Sequence, residues 1–325
     1  MVTHDAERLT LARLPSGIEI ETTIHRYRGG RSGPKIYVQA AQHGREVNGV
    51  EVLRRLHDRL VSAELAGEVI AVPVADPLTF DRVSYTTPEA LDSINANMNR
   101  AWPGSSDGTL HERMTAALWE RAREADAVVD LHTGSPEMLT HVVFMAGDDG
   151  SRALAEAFGT DLLLAERAGE AANEEWSQRG FDGKLRVAAT RAGIPTITPE
   201  LASNKRIDES AVEAGLEGTL NVLRDRSVLS GAPEPRGERR LARNHLGRVT
   251  ATDSGLFRAE STLEVGREIE AGTYLGTLYD PTTYEVLQEA RADRDGILYA
   301  LTKEATVTAG GKLANVALPL DNEDD

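Results

Sequence analysis

The first 226 residues alternate short apolar runs with amphipathic segments, and this alternation restricts the folds that the chain can adopt. Strands are predicted at residues 18–25, 36–41, 68–74, 126–131, 140–145, 161–165 and 194–198. Helices are predicted between them at residues 47–61, 109–124, 151–158 and 210–225. Strands that alternate with helices indicate an α/β fold, in which helices cover both faces of a sheet.

The character of the sequence changes after residue 226. Residues 227–240 (SVLSGAPEPRGERR) hold two prolines, two glycines and a cluster of charges, which is typical of a linker. The short strands and frequent glycines that follow predict a small all-β module. We therefore expect an α/β domain at residues 1–226, a linker at 227–243, and a β module at 244–325 that ends in an acidic tail.

The β module contains a weak internal repeat. Residues 254–257 (SGLF) recur as 295–298 (DGIL), and residues 269–272 (IEAG) recur as 307–310 (VTAG). The repeat resembles the half-motifs of biotinyl/lipoyl-type barrels, which present a lysine on the hairpin between the halves. Here that hairpin, residues 280–284 (DPTTY), has no lysine. We therefore interpret the module as structural or gating, and not as a carrier.

The composition excludes several classes of protein. The chain has no cysteine, which excludes disulfide scaffolds, iron–sulfur sites, thiolate zinc fingers and cysteine catalysis. The net charge of −16 argues against a nucleic-acid partner, since such proteins usually carry a basic face. No apolar run approaches the roughly 20 residues that span a bilayer, and the N-terminus lacks a signal-like apolar segment. We expect a soluble, cytoplasmic protein with no membrane partner, and a homo-oligomer is left open.

The first candidate functional residues are His43 and Glu46, which follow the predicted strand at 36–41. They lie three residues apart where a helix is predicted to begin, so both side chains can reach one ion. Imidazole and carboxylate are ordinary zinc ligands. The alternative interpretation is a capping carboxylate beside an unremarkable surface histidine.

A second candidate, His132, lies near the end of another predicted strand in the sequence Asp130-Leu131-His132. Ligands of open α/β sheets gather at the carboxyl ends of the strands, so His43 and His132 can meet there. Asp130 is two residues earlier on the same strand face and can orient a metal-bound imidazole. The alternative interpretation is a buried histidine with satisfied hydrogen bonds.

Arginine, asparagine and glutamate residues complete the candidate site. Asn99 and Arg100 lie in the loop between the two histidine-containing segments, and Arg82 lies upstream of them. Arginines bind carboxylates in a bidentate manner and can stabilise an oxyanion. Glu200 follows the predicted strand at 194–198. The alternatives are a solvated loop and a carboxylate at the N-terminus of a helix.

The remaining histidines receive simpler interpretations. His25, His57, His111 and His245 have no carboxylate at ligand spacing, and we predict that they lie on the surface. His141 follows a loop near the candidate site and is a candidate for contact with a substrate.

In this order, the motifs resemble those of the aspartoacylase/succinylglutamate desuccinylase family, a branch of the M14 zinc carboxypeptidase-like enzymes. The resemblance covers about residues 14–320. Residues 32–53 contain a predicted strand, His-Gly-x-Glu and an Asn-Gly helix start, as the family does. Residues 99–104 (NRAWPG) resemble the family's Asn-Arg-x-Phe-Pro-Gly motif. Residues 130–132 match its Asp-Leu-His motif, and residues 198–200 (TPE) resemble its Thr-x-Glu motif.

The resemblance implies a fold and a cofactor. The fold is a mixed sheet flanked by helices, as in zinc carboxypeptidases, followed by a small barrel-like β module. Residues 1–226 would be a zinc-dependent catalytic domain, and His43, Glu46 and His132 would bind one Zn²⁺ per chain. The β module would pack near the mouth of the catalytic site and restrict it to small substrates.

The resemblance also implies roles for the other candidates. Glu200 would be the general base, Arg82 would polarise the scissile carbonyl, and Asn99 with Arg100 would hold a substrate carboxylate. Two features depart from the family pattern. Trp102 stands where the family usually has phenylalanine, and the segment after Glu200 lacks the glycine that is common there.

The implied activity is zinc-dependent hydrolysis of the amide bond of an N-acyl amino acid or a related small amide, with a small anionic N-acyl substrate. A metallocarboxypeptidase that trims peptide C-termini is an alternative, because it would use the same ligands and the same carboxylate clamp. A non-catalytic binding protein on this scaffold is a further alternative, which would need neither a metal nor Glu200.

Overall fold

The computed structural model describes residues 2–134, 137–168, 174–234, 239–243 and 248–320. The helices are α1 Asn48–Leu60, α2 Pro77–Arg82, α3 Leu110–Ala122, α4 Asp149–Phe158, α5 Glu174–Gln178, α6 Leu185–Arg191 and α7 Glu209–Asp225. Two short 3₁₀ turns lie at Met98–Arg100 and Phe181–Gly183. Within the described residues, none of the helices has both the length and the apolar character of a membrane span.

The strands of the α/β region are β1 Thr3–Arg13, β2 Glu19–Arg28, β3 Arg31–Ala40, β4 Ala66–Val72, β5 Ala127–Gly134, β6 His141–Met145, β7 Leu162–Glu166 and β8 Thr196–Ser203. The strands that follow are β9 Arg240–Arg243, β10 Arg248–Thr250, β11 Gly255–Ala259, β12 Glu268–Ile269, β13 Tyr274–Tyr279, β14 Val286–Arg291, β15 Gly296–Leu301, β16 Thr306–Val307 and β17 Lys312–Pro319.

Most strands belong to one large mixed sheet with the order β1-β2-β4-β3-β5-β8-β6-β7-β9-β17-β15-β12. Strands β4, β3, β5 and β8 are parallel neighbours at its centre. Strands β2 and β6 flank this group in the antiparallel direction. The prediction of an α/β fold with a mixed sheet and helices is therefore confirmed.

Helix α1 shows why the periodic segments fold as predicted. It buries Val52, Leu53, Leu56 and Leu60, which recur at the three- and four-residue spacing of a helix face. These residues pack against sheet residues such as Val38 in a core that α4 and α7 also cover. Burial of this apolar stripe stabilises both the helix and the sheet beneath it.

Strand β5 lies at the centre of the sheet and is buried along its whole length. Its successive side chains point to opposite faces of the sheet. Val129 joins the core beneath α1, α4 and α7, and Val128 joins a second core beneath α3 and α6. A central strand with helices on both faces buries successive side chains, as Val128 and Val129 show.

Strand β1 is the main element that the sequence did not predict. It pairs antiparallel with β2 along its length, yet only Leu11 and Ala12 of its eleven residues are buried. A strand that is exposed on both faces has no apolar alternation to reveal it. Pairing with the next strand, β2, and not an apolar face of its own, determines this part of the structure.

The C-terminal strands continue the large sheet and also form a second one. The last residues of the predicted linker form β9, which pairs with β7 on one side and with β17 on the other. Strands β14, β13, β11 and β16 form a separate four-stranded sheet. The first repeated motif lies at β11 and recurs at β15, and the second lies at β12 and recurs at β16. The acidic tail, residues 321–325, lies outside the described residues, and the division into domains stays a prediction.

Candidate metal centre and active site

The structure brings His43, Glu46 and His132 together at the carboxyl ends of β3 and β5. Leu131 of β5 pairs with Ala40 at the end of β3, so the chain just past β3 lies beside His132. All three side chains are buried. One ligand atom from each lies within 4.8 Å of the others. The sheet edge therefore assembles a donor set of two imidazoles and a carboxylate.

Both imidazoles turn the same ring atom toward Glu46. The distance from His43 Nδ1 to Glu46 Oε1 is 2.9 Å, and His132 Nδ1 lies 2.9 Å from Glu46 Oε2. The Nε2 atoms face other oxygens. His43 Nε2 lies 3.0 Å from Asn97 Oδ1, and His132 Nε2 lies 3.0 Å from Asp130 Oδ2. An imidazole held by an oxygen at one nitrogen is oriented to bind a metal with the other.

Charge favours a cation at this cluster. Burial raises the energy of a charged Glu46, but the adjacent His43 and His132 outweigh this and lower the pKa of Glu46. Burial also opposes a charged His132, yet the carboxylates of Asp130 and Glu46 raise its pKa well above the ordinary value. The carboxylates thus attract positive charge, which a proton or a metal ion can supply. The donor set fits a divalent ion such as zinc.

Asp130 is held in place by amide side chains. Gln39 Nε2 donates to Asp130 Oδ1 at 3.0 Å, and Gln42 Nε2 donates to Oδ2 at 2.8 Å. Gln42 is held in turn by Trp102, whose Nε1 donates to Gln42 Oε1 at 2.7 Å. The residue at the family's phenylalanine position therefore contributes an indole N–H to the support of His132. This contact gives a physical role to that departure from the family motif.

The cluster opens into a cavity of about 350 Å³. Glu200 lines it and lies opposite His132 in the pairing of β5 with β8. Removal from water raises the pKa of Glu200, against an opposing effect from His132. A carboxylate with a raised pKa is a better proton acceptor near neutral pH.

The cavity wall is rich in basic side chains, although the chain carries a net charge of −16. Its lining includes Arg45, Arg100, Arg179, Lys184, Arg186, Arg248 and Lys312. Fixed local cations can dominate the field in a cavity even when the protein as a whole is acidic. The cavity is therefore suited to an anionic ligand.

Comparison with known proteins identifies the family. A model of the succinylglutamate desuccinylase/aspartoacylase catalytic domain matches residues 32–226. The chain belongs to this family. A relative from Halomonas elongata, N-alpha-acetyl-L-2,4-diaminobutyric acid deacetylase, is 32% identical over 301 residues, which cover 88% of this chain and 82% of the relative. The names within the family describe deacylases, and deacylase activity is thereby supported.

Solved structures confirm the fold over nearly the whole chain. A succinylglutamatedesuccinylase/aspartoacylase from Rhodobacter sphaeroides is 25% identical with a TM-score of 0.82, covering 98% of this chain and 96% of that one. The product-bound ectoine utilization protein EutE (DoeB) from Ruegeria pomeroyi has a TM-score of 0.81 at 21% identity, covering 98% and 95%. The second match supports the fold alone.

Not every predicted site residue lines the cavity beside the metal-ligand cluster. Asn99 and Arg100 line it, and Asn99 also places its Nδ2 3.4 Å from His132 Nε2. Arg82 is the last residue of α2, is exposed, and does not line the cavity. Its assignment rested on position in a variable loop, whereas the structure places Arg82 at the exposed end of a short helix. Arg45, which stands inside the His-Gly-x-Glu motif itself, lines the cavity instead.

Within the part of the chain that the structure describes, two of the other histidines are buried. His111 is fully buried, and its Nε2 lies 3.3 Å from Asp76 Oδ2, so the prediction of a surface position is wrong. The carboxylate comes from a distant segment, which spacing in the sequence does not reveal. His141 lines the cavity, and its Nδ1 donates to the Leu139 carbonyl at 2.7 Å. His245 lies outside the described residues.

Several cavity residues were not predicted at all. Lys184 Nζ lies 2.9 Å from Glu166 Oε1, and Arg186 pairs with the other oxygen of that carboxylate. Burial and the adjacent Arg186 lower the pKa of Lys184 well below its ordinary value. The sequence signal for these residues was weak, because helix α6 and the turn before it carry no recognisable motif. Lys312 comes from β17, which only the tertiary structure brings to this wall.

Proposed function

We propose that this protein is a zinc-dependent deacylase that hydrolyses the amide bond of an N-acyl amino acid or a related small amide. The observation that carries the proposal is the cluster of His43, Glu46 and His132 beside Glu200 in a cavity with basic walls. A protein that only binds a ligand would not require the Glu200 carboxylate beside a set of metal ligands. The cluster, the carboxylate and the cations together match the needs of amide hydrolysis.

We assign one zinc ion per chain to His43, Glu46 and His132. When bound, zinc would act as a Lewis acid, which lowers the pKa of water and polarises an amide carbonyl. Asp130 and Asn97 hold the distal nitrogens of the two imidazoles and so keep the ligand atoms oriented. His132 lies on β5, while His43 and Glu46 lie in the buried turn between β3 and α1, so the fold holds the three ligands in place before substrate arrives.

Glu200 is assigned the proton transfers. It takes a proton from the attacking water and delivers it to the amine as the amide bond breaks. Its place opposite His132, at the end of the neighbouring strand, puts it beside the proposed metal ligands. Its raised pKa suits both transfers, since the group must accept a proton and then release it within one cycle.

The basic wall is assigned to substrate binding. Arg100 is held by its own hydrogen bonds, since its Nε donates to the Arg179 carbonyl at 2.6 Å and its guanidinium stacks 4.7 Å from the Phe181 ring centre. A guanidinium fixed in this way is preorganised to bind a carboxylate. With Asn99 beside it, Arg100 would hold the carboxylate of a small anionic N-acyl substrate.

The β module supports a small substrate over a peptide. Arg248, Tyr299, Lys312 and Asn315, all from the region after residue 243, line the cavity. A volume of about 350 Å³ is at the lower end of the range for small-molecule sites. A module that closes one side of the cavity leaves little room for an extended peptide chain. This is the main argument for a deacylase over the alternative of a metallocarboxypeptidase.

The test of the function is a substrate panel on the full chain loaded with zinc. N-acetyl and N-succinyl amino acids are compared with peptides that have a free C-terminus, and the released amine is measured. We expect cleavage of at least one N-acyl amino acid, with peptides cleaved far more slowly. Release of C-terminal amino acids from peptides as the dominant activity would establish the carboxypeptidase alternative. Absence of amide cleavage across the panel would leave a binding protein.

Arg100→Ala should raise KM more than it lowers kcat. The substrate carboxylate is charged in both the ground and transition states, so its binding is uniform between them. Loss of a charge-assisted hydrogen bond of about 1.5–3 kcal/mol corresponds to a KM increase of roughly 10–100-fold. Steady-state kinetics on one N-acyl amino acid measures both constants. Arg82→Ala, which removes an exposed arginine outside the cavity, is the matched control and should change neither.

An effect of Arg100→Ala on kcat alone, with KM unchanged, would contradict the role as a clamp. It would place the guanidinium at the oxyanion that forms during the reaction.

Lys312 should make substrate binding depend on pH. Burial, together with the nearby Arg248 and Arg179, lowers the pKa of Lys312 to about 8. The carboxylates of Glu200 and Glu304 act in the opposite direction. The ammonium is therefore charged below pH 8 and neutral above it, so an anionic substrate should bind more weakly as the pH rises. We expect KM to increase by about tenfold, the equivalent of one charge-assisted hydrogen bond.

The comparison is between pH profiles of KM for the wild type and Lys312→Arg. The arginine stays charged and should remove the alkaline increase, while Lys312→Met should show a high KM at all pH values. Identical profiles for wild type and Lys312→Arg would show that another group causes the pH dependence.

A further inference from the structure

Three histidines that the candidate active site does not use lie together at the N-terminal edge of the sheet. His4 belongs to β1, His25 to β2 and His57 to α1. In the β1–β2 ladder His4 pairs with Tyr27, which is two residues from His25, so these three side chains share one face of the sheet. Helix α1 places His57 over the same face.

The rings are close enough to share a ligand. His4 Nε2 lies 3.1 Å from His25 Nδ1. The ring centre of His57 is 4.8 Å from that of His4 and 6.2 Å from that of His25. One ring nitrogen from each histidine lies within 4.8 Å of the others, as in the cluster of the candidate active site.

The surroundings orient one ring of the cluster and leave the cluster open to solvent. Tyr27 is buried, and its hydroxyl lies 2.9 Å from His57 Nδ1, which orients that ring. His4 is exposed, so an ion has access from solvent.

We propose that His4, His25 and His57 form a second metal site, which binds a divalent transition-metal ion such as Zn²⁺ through three imidazoles. An all-nitrogen donor set suits zinc, nickel or copper and disfavours the oxygen-seeking Mg²⁺ and Ca²⁺. Neighbouring residues on one hairpin and one helix supply the ligands. The sequence conceals the site, because the three positions have no common spacing.

The site is separate from the candidate active site. His57 lies nine residues into α1 from Asn48, and Asn48 follows shortly after Glu46. At 1.5 Å per residue, about 14 Å of helix separates the two regions. An ion bound here would connect β1, most of whose residues are exposed, to α1. Metal binding should therefore stabilise the N-terminal hairpin as well as add a second equivalent of metal.

The first test is the stoichiometry of Zn²⁺ binding to the untagged, full-length protein after removal of metal with a chelator. Isothermal titration calorimetry should find two sites in the wild type. His4→Ala, which changes an exposed side chain with little risk to folding, should leave one. His4→Asp is the matched control, because it supplies a carboxylate ligand and should retain the second site.

The second test isolates the proposed site from the active site. His132→Ala should still bind one Zn²⁺, and this ion should raise its Tm. The double variant His4→Ala/His132→Ala should bind none and show no increase in Tm. Two sites in His4→Ala, or one site in the wild type that His4→Ala leaves intact, would overturn the proposal. Failure of the active-site assignment would instead appear as two sites retained in His132→Ala.

Discussion

His132→Ala should remove the metal from the candidate active site and abolish hydrolysis. The substitution takes one of three ligands from a buried cluster and leaves Glu46 with a single imidazole partner. Two remaining ligands hold zinc far more weakly than three in a fixed arrangement. Metal analysis by mass spectrometry after dialysis, with amine release measured in parallel, should show the loss of one equivalent and no detectable turnover.

His141→Ala is the matched control for this variant. His141 lines the same cavity and is equally buried, but it does not belong to the cluster of ligand atoms. It should therefore retain a full equivalent of metal at the active site. Retention of that metal in His132→Ala, with loss in His141→Ala, would show that the ligand set is wrong.

Glu200→Gln should lower kcat by roughly 10²–10⁴-fold while metal and substrate binding are retained. The amide keeps the size of the side chain but cannot accept a proton, so the loss is that of general acid–base catalysis. Because substrate binding does not depend on this proton transfer, KM should change little. Steady-state kinetics and metal content of the same preparation test both parts of the expectation.

Thr198→Val provides a control for disturbance of the cavity wall. Thr198 lies two residues before Glu200 on the same strand, lines the cavity, and has no assigned part in proton transfer. It should lower kcat far less than Glu200→Gln does. A kcat close to wild type in Glu200→Gln would remove Glu200 from the proposed mechanism and require another base.

The two groups of proposed metal ligands differ in how the sequence reveals them. His43 and Glu46 lie on one local segment, and His132 ends an apolar run, so strand ends and helix spacing predicted their meeting. His4, His25 and His57 come from two strands and a helix with no shared motif. Only the pairing of β1 with β2 and the packing of α1 over them bring these rings together.

The basic wall of the cavity shows the same division. Arg100 was predicted because it lies in a motif between the ligand segments. Arg248 and Lys312 were not, because they lie beyond the region in which the motifs occur. Strand β9 pairs with β7 on one side and with β17 on the other. This pairing brings β17, which contains Lys312, to the cavity. Arg82 shows the opposite error, since proximity in sequence did not bring it to the site.

By itself the sequence determined the α/β architecture, the change to a β module, and the local motifs at the strand ends. These follow from hydrophobic periodicity and from side chains within a few residues of one another, which are local properties of a chain. The exposed strand β1, the buried partner of His111, the second histidine cluster and the contribution of the β module to the cavity required the tertiary structure. Each depends on contacts between residues distant in sequence, and such contacts are selected by the packing of the whole fold rather than by any local pattern.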